Sequence, residues 1–251
     1  MIEKLSVQLY PYTHYDENQR ADLYDVLHNT GVENVEVTTD IKNTWNLSEF
    51  SITGVHSNQY DVNAIDEIVP SLIHEGDFIF PISSMAFVIG RNSLKKLGNL
   101  ILRNRFRRLF FHQTKLKNYL KKEYWIELAC WLNSQNKKIT LHNHELELHD
   151  FVDGESPWEI IHRYTTPNIR FQFDPQNLPS PFDLEDLLIR YHQRIDSVHL
   201  DLDDPKLTNE EKETMVEFSK VISRPINLII EQSKPDLKKL EKQIKKLQQL
   251  I

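Results

Sequence analysis

Short apolar, β-like runs in this chain end on or contain polar groups that could do chemistry. They are Glu36, His56, the cluster His142-Asn143-His144-Glu145-Leu146-Glu147, Asp174, His199 and Glu231. Such groups are costly to bury unless they are hydrogen-bonded, paired or bound to a metal. Imidazole together with carboxylate suits a divalent ion of the manganese, cobalt or zinc type, whereas an all-oxygen set would suit magnesium or calcium. One such residue says little, because a lone histidine on an apolar run is ordinarily a satisfied core group and a lone glutamate pairs with a lysine. Asp174, His199 and Glu231, at three successive run ends, carry the argument together. His149, His162 and His192 fall in loops or on helices and receive no role. The letters His-Asn-His at 142–144 do not make a nuclease motif of that spelling, since adjacent strand residues point to opposite sides.

The elements that must position these groups are eight β-like runs: residues 5–10, 32–37, 52–56, 78–82, 138–142, 169–173, 195–200 and 226–230. Helical patterns separate them at 19–29, 61–74, 124–136, 157–164, 184–190 and 209–221, and a last one covers 235–251. Strand–helix alternation argues for a parallel sheet. Eight units in about 250 residues fit an α/β fold of the (β/α)₈ TIM barrel type, whose reactive groups sit at the C-terminal ends of the strands. A doubly wound sheet is the alternative, but it usually binds through a glycine-rich first turn. The chain has 6 glycines, none spaced for such a turn or for a P-loop. Residues 39–51 are expected to hold only a loop or a single turn, and the long gap after strand four an elaborated helical region. One domain over 1–251 is the expectation.

The net charge of −7 conceals a segment, 91–122, with 11 basic residues and no acid. Leu97, Leu100, Leu102, Phe106, Leu109 and Phe110 can line a buried stripe there while lysine and arginine face water. Nucleic acid is not the expected partner, because the remaining acidic surface would repel it. The segment is instead the place to look for a partner or a homo-oligomer contact. No stretch approaches the ~20 apolar residues of a membrane span, and the first residues lack the apolar core of a secretory signal. With the single cysteine, Cys130, this leads to the expectation of a cytoplasmic location.

Residues 132–148, LNSQNKKITLHNHELEL, resemble the helix-then-strand signature of the sugar phosphate isomerase/epimerase family, the xylose-isomerase-like TIM barrels. FDPQN at 173–177, SVHL at 197–200 and IIEQ at 229–232 resemble that family's strand-six, strand-seven and strand-eight motifs, and NVEV around Glu36 and GVH at 54–56 its second and third strand ends. The resemblance implies a divalent metal (Mn, Co, Zn or Mg) held by one side chain from each of strands five to eight. Asp174, His199 and Glu231 carry over directly; His142 is the choice for strand five, with His144, Glu145 and Glu147 as competitors. It further implies proton abstraction next to the carbonyl of a sugar, sugar phosphate or polyol, through a metal-stabilised enediolate. Glu231 and Glu147 are the candidate bases, and Glu36, His56, Asn143 and His144 the substrate contacts.

Two departures from the family pattern bear on activity. Asp201 stands where relatives usually carry a lysine available to the substrate, and Pro175-Gln176-Asn177 replace the aromatic residues that often follow the strand-six aspartate. An acid at Asp201 would disfavour an anionic group near strand seven. The other readings are a dehydratase of a keto-polyol, a non-catalytic carbohydrate-binding or regulatory barrel favoured by Asp201, and, ranked last, a phosphodiesterase resembling the apurinic endonucleases.

Overall fold

A computed structural model describes residues 2–56, 78–81, 121–134, 139–143, 148, 152–177, 184–222 and 226–250. Eight strands run β1 (Ile2–Gln8), β2 (Asn34–Thr38), β3 (Ser51–His56), β4 (Phe78–Pro81), β5 (Ile139–His142), β6 (Ile169–Phe173), β7 (Ile195–Leu200) and β8 (Ile226–Ile230). All are parallel, each pairs with the next in the sequence, and β1 also pairs with β8, the order of a closed barrel. Helices α1 (Glu17–Asn29), α2 (Thr39–Thr44), α3 (Lys122–Ser134), α4 (Pro157–Tyr164), α5 (Leu184–Tyr191), α6 (Asn209–Val221) and α7 (Leu237–Leu250) connect and cover the strands.

The last three strands and the helices α4 and α6 have the boundaries expected from the sequence. The first strand begins at Ile2 and stops at Gln8, because Pro11 draws residues 10–12 into a 3₁₀ turn. Within 39–51 the structure has a six-residue helix where a loop or one turn was expected. Thr38, the last residue of β2, caps it by accepting a hydrogen bond from the Ile41 N–H at 3.5 Å. The expected helix at 61–74 lies outside the described residues, as does the basic segment up to residue 120.

Local signals explain where several helices begin and end. Asp16, Ser156 and Thr208 each accept from the backbone N–H three residues on, while Gln19, Glu159 and Glu211 reach back to the cap. These reciprocal boxes satisfy N–H groups that a helix start leaves without partners. Helix α1 ends at Gly31, whose φ of +69° is the left-handed conformation that glycine adopts without a side-chain clash. The Val32 N–H then closes the end on Leu27 O at 2.9 Å.

Alternation along each strand separates two faces. Val7, Leu9, Val35, Val37, Leu141, Phe171, Val198, Leu200 and Leu228 are buried in the apolar core. Trp158 of α4 stacks on Phe171 at 4.3 Å between ring centroids, and Tyr191 of α5 meets the same ring edge-on. The opposite pleats carry Ser6, Gln8, Glu36, Thr140, His142, Gln172, Ser197 and His199, all buried. Register shifts in the ladder fall beside two of these, between Val35 and Glu36 and between Phe171 and Gln172. Shifts of this kind re-aim side chains locally.

Candidate metal centre

Because the strands are parallel, their C-terminal ends lie at one end of the barrel. His56 and His142 close β3 and β5 there, His199 is the last residue but one of β7, and Asp174 and Glu231 directly follow β6 and β8. The imidazole rings of His142 and His199 are 5.0 Å apart, and that of His56 lies 5.2 and 5.7 Å from them. His199 Nδ1 is 2.5 Å from Glu231 Oε2, and His142 Nε2 is 3.8 Å from Asp174 Oδ2. Asp174, His199 and Glu231 each offer a ligand atom within 4.8 Å of the others.

Beneath this rim lies Glu36, with 1% of its surface exposed. Its Oε1 accepts from Gln8 Nε2 at 2.6 Å and lies 2.7 Å from His56 Nε2 and 2.8 Å from His199 Nε2. Oε2 accepts from Gln172 Nε2 at 2.6 Å. One carboxylate thus links β1, β2, β3, β6 and β7. Burial alone would raise its pKa, but the charges and hydrogen bonds of His56 and His199 outweigh that and hold it well below the usual carboxylate range. His199 shows the converse: burial would lower its pKa, yet Glu36 and Glu231 on its two sides raise it well above the ordinary histidine value. A histidine whose far nitrogen is engaged by a carboxylate is a common arrangement behind metal ligands, since it fixes ring orientation and tautomer.

Asp174 is held from three directions. Asn143 Oδ1 accepts from its backbone N–H at 2.7 Å while Asn143 Nδ2 donates to its carbonyl at 3.0 Å, a two-point clamp between the ends of β5 and β6. Its own carboxylate accepts from the Gln176 N–H at 2.9 Å and from Asn177 Nδ2 at 2.5 Å. Burial, and then the negative charge of Glu231, push its pKa up to about 7. Two carboxylates crowded together beside imidazole, at a partly open rim where the Glu231 side chain is 23% exposed, form a donor set that a dication would relieve. His142, Asp174, His199 and Glu231 therefore fit a divalent metal by number and by chemistry. His56 and His199 form a second histidine group with His142, but the Nε2 atoms of both face Glu36 Oε1.

The geometry places the other residues singled out in the sequence as follows. Glu36 and Asn143, expected as substrate contacts, are buried with their polar atoms engaged by protein groups, so they support the rim from below. Asp201, read from the sequence as an acid that would disfavour an anionic group near strand seven, is buried and hydrogen-bonded to protein groups. It accepts from Gln243 Nε2 of α7 at 2.8 Å, the Asp203 N–H at 2.9 Å and the Ser233 N–H at 3.1 Å. His144, Glu145, Glu147 and His149 lie outside the described residues. His162 stacks near Phe171 and Tyr191, and His192 is exposed and pairs with Ile189 O, both away from the rim. Gln8 and Gln172 were not singled out by sequence reading. The available signal was an amide two residues before a rim position on the same pleat face, as Gln172 stands to Asp174.

No protein-family model and no curated protein sequence matches the chain. Solved structures do. A sugar phosphate isomerase/epimerase from Parabacteroides distasonis aligns with a TM-score of 0.60 at 13% identity, over 98% of this chain and 93% of its own. An L-ribulose 3-epimerase aligns with a TM-score of 0.60 at 10% identity, over 100% and 94%. The IolI protein, whose structure holds a zinc atom, aligns with a TM-score of 0.53 at 15% identity, over 98% and 96%. The structural neighbours of this chain are thus sugar phosphate isomerase/epimerase-like proteins, and what it shares with them is the fold.

Proposed function

We propose that the chain is one (β/α)₈ TIM barrel domain acting as a divalent-metal-dependent isomerase or epimerase on a sugar or polyol. The observation that carries this reading is the convergence of Asp174, His199 and Glu231 with His142 at the strand ends, in a fold similar to that of sugar epimerases. His142, Asp174, His199 and Glu231 hold the metal; the zinc in the IolI structure supports an ion of that class. A divalent ion bound there would supply Lewis-acid polarisation of a substrate carbonyl.

The protein's own groups handle the proton. Glu231, partly open to the rim and held by His199 Nδ1, removes the proton next to the carbonyl. Its pKa would be raised by burial, but the neighbouring His199 outweighs this and keeps it below the ordinary value, in the basic form. Return of the proton at the neighbouring carbon gives isomerisation, and return on the opposite face gives epimerisation. Glu147 is the second carboxylate for that return. His56, with its side chain 13% exposed, and His144 contact the substrate, while Glu36 and Asn143 hold the ligands in place. The reading of a non-catalytic barrel drew on Asp201 and on the lysine missing from that position; the burial of Asp201 against α7 weakens the first ground and leaves the second. Among the described residues no helix is long and apolar enough to cross a membrane; a cytoplasmic location is part of this proposal.

The test is metal content together with exchange chemistry. Protein purified without chelator should carry close to one equivalent of divalent ion and should exchange a carbon-bound proton of a ketose in deuterated water. Glu231→Gln should lose that exchange while melting normally. Metal below about a tenth of an equivalent, or near-normal exchange in the variant, overturns the proposal.

A further inference from the structure

The two histidines at the candidate centre face it through different nitrogens, and a single amide accounts for one of them. Gln172 lies on β6 between His142 and Glu36, with Oε1 2.9 Å from His142 Nδ1 and Nε2 donating to Glu36 Oε2 at 2.6 Å and to Ser197 Oγ at 3.2 Å. A carboxylate accepts and cannot donate, so Glu36 dictates which end of the amide faces it. The NH₂ group must point to Glu36, which leaves the carbonyl oxygen pointing at His142. An amide oxygen only accepts, so His142 Nδ1 must carry the proton. In a neutral ring Nε2 is then the nitrogen with the lone pair, and it is the one 3.8 Å from Asp174 Oδ2.

The same carboxylate acts in the opposite sense on His199. There Glu36 Oε1 engages Nε2 at 2.8 Å and Glu231 Oε2 lies 2.5 Å from Nδ1, so both ring nitrogens carry protons while no metal is bound, and Nδ1, on the rim side, is the one that would give up its proton to a dication. Glu36 touches His199 directly and reaches His142 through one amide. Both partners are acceptors, so the two rings differ in which nitrogen faces the acceptor, Nδ1 in His142 and Nε2 in His199.

We propose that Gln172 is a positioning residue that holds His142 in its Nδ1–H tautomer and thereby makes Nε2 its metal-binding atom, opposite to the Nδ1 of His199. The proposal rests on the reading of the rim as a metal centre.

Long-range proton–nitrogen NMR spectra of the metal-free protein read the tautomers without any activity. The wild type should show His142 protonated at Nδ1 only and His199 protonated at both nitrogens. Gln172→Met, close in size and without the amide, should lose the Nδ1–H preference at His142 and leave His199 unchanged. Titration with Co²⁺ should show affinity reduced about 10- to 100-fold, the usual size for losing a partner behind a ligand. Gln172→Glu, which keeps an acceptor toward Nδ1, should restore the tautomer. An Nε2–H ring at His142 in the wild type overturns the proposal even if the variants do not fold. Unchanged Co²⁺ affinity in folded Gln172→Met overturns it as well. Tautomer control by Gln172 without Co²⁺ uptake by the wild type supports the positioning role and overturns the metal centre, so the two failures are separable.

Discussion

The two faces of the same strands do different work. On the outward face of β6, Phe171 and Phe173 are fully buried, with Trp158 of α4 stacked on Phe171, Tyr191 of α5 edge-on to it and the Arg194 guanidinium 5.3 Å from the Phe171 ring centre. On the inward face of that strand Gln172 spans from β5 to β2 by hydrogen bonds, and Asp174 follows at the rim. Outward burial stabilises the fold through apolar area and packing, which are tolerant of direction. Inward burial desolvates polar groups, and it is tolerable only because each named group finds a partner with defined geometry. The stability of the molecule and the placement of its candidate ligands therefore rest on alternate residues of the same segments.

Changes on each face should separate these roles. The largest effect is expected from Phe171→Ala, which removes a stacked ring from the outer layer and should cost about 3–5 kcal/mol of unfolding free energy. Denaturant melts measure the loss, and the fraction that remains folded should bind metal with wild-type affinity; a large drop in affinity per folded molecule would show that the faces are not independent. Next is Glu36→Gln, which should weaken metal binding about 10- to 100-fold by removing the negative charge behind His199 and turning an NH₂ toward groups that now donate to the carboxylate. Calorimetric titration at one temperature checks this, and an unchanged affinity would remove Glu36 from the support of the site.

The smallest effect sharpens the outer side of the comparison. His162 lies against Phe171 and Tyr191, and burial first, then the charges of Arg194 and Arg163, lower its pKa below the ordinary histidine value. The unfolded chain then binds that proton more readily than the folded one. Stability from this group is present above about pH 6.5 and is lost as pH falls through the folded pKa. The wild type should thus lose more melting temperature between pH 7.5 and pH 5 than His162→Phe does. Equal losses in the two proteins would mean that His162 contributes nothing to the acid side.

Legibility in the sequence followed the range of the interaction. The runs at 169–173, 195–200 and 226–230 coincide with β6, β7 and β8, since apolar β patterns bounded by turn residues are local properties. Asp174, His199 and Glu231 could be singled out for the same reason, as each is read from its own strand end. Helix α2 was missed because its cap, Thr38, is also the final residue of a strand. Asp201 was read as facing a substrate because sequence position gives the strand end and not the direction of the side chain. Its partners Ser233 and Gln243 come from 32 and 42 residues further on.

By itself, then, the sequence determined the alternation of strands and helices, the apolar outer face and the kinds of group that stand at the strand ends. These follow from periodicity, capping and composition, all set within a few residues. Only the tertiary structure decided that Glu36 lies under the rim, that Gln172, 136 residues further along the chain, joins it to His142, and that Asp201 bonds to α7. Those outcomes depend on which inward pleats meet across the barrel. That meeting is set by strand register and curl, and no local pattern encodes it.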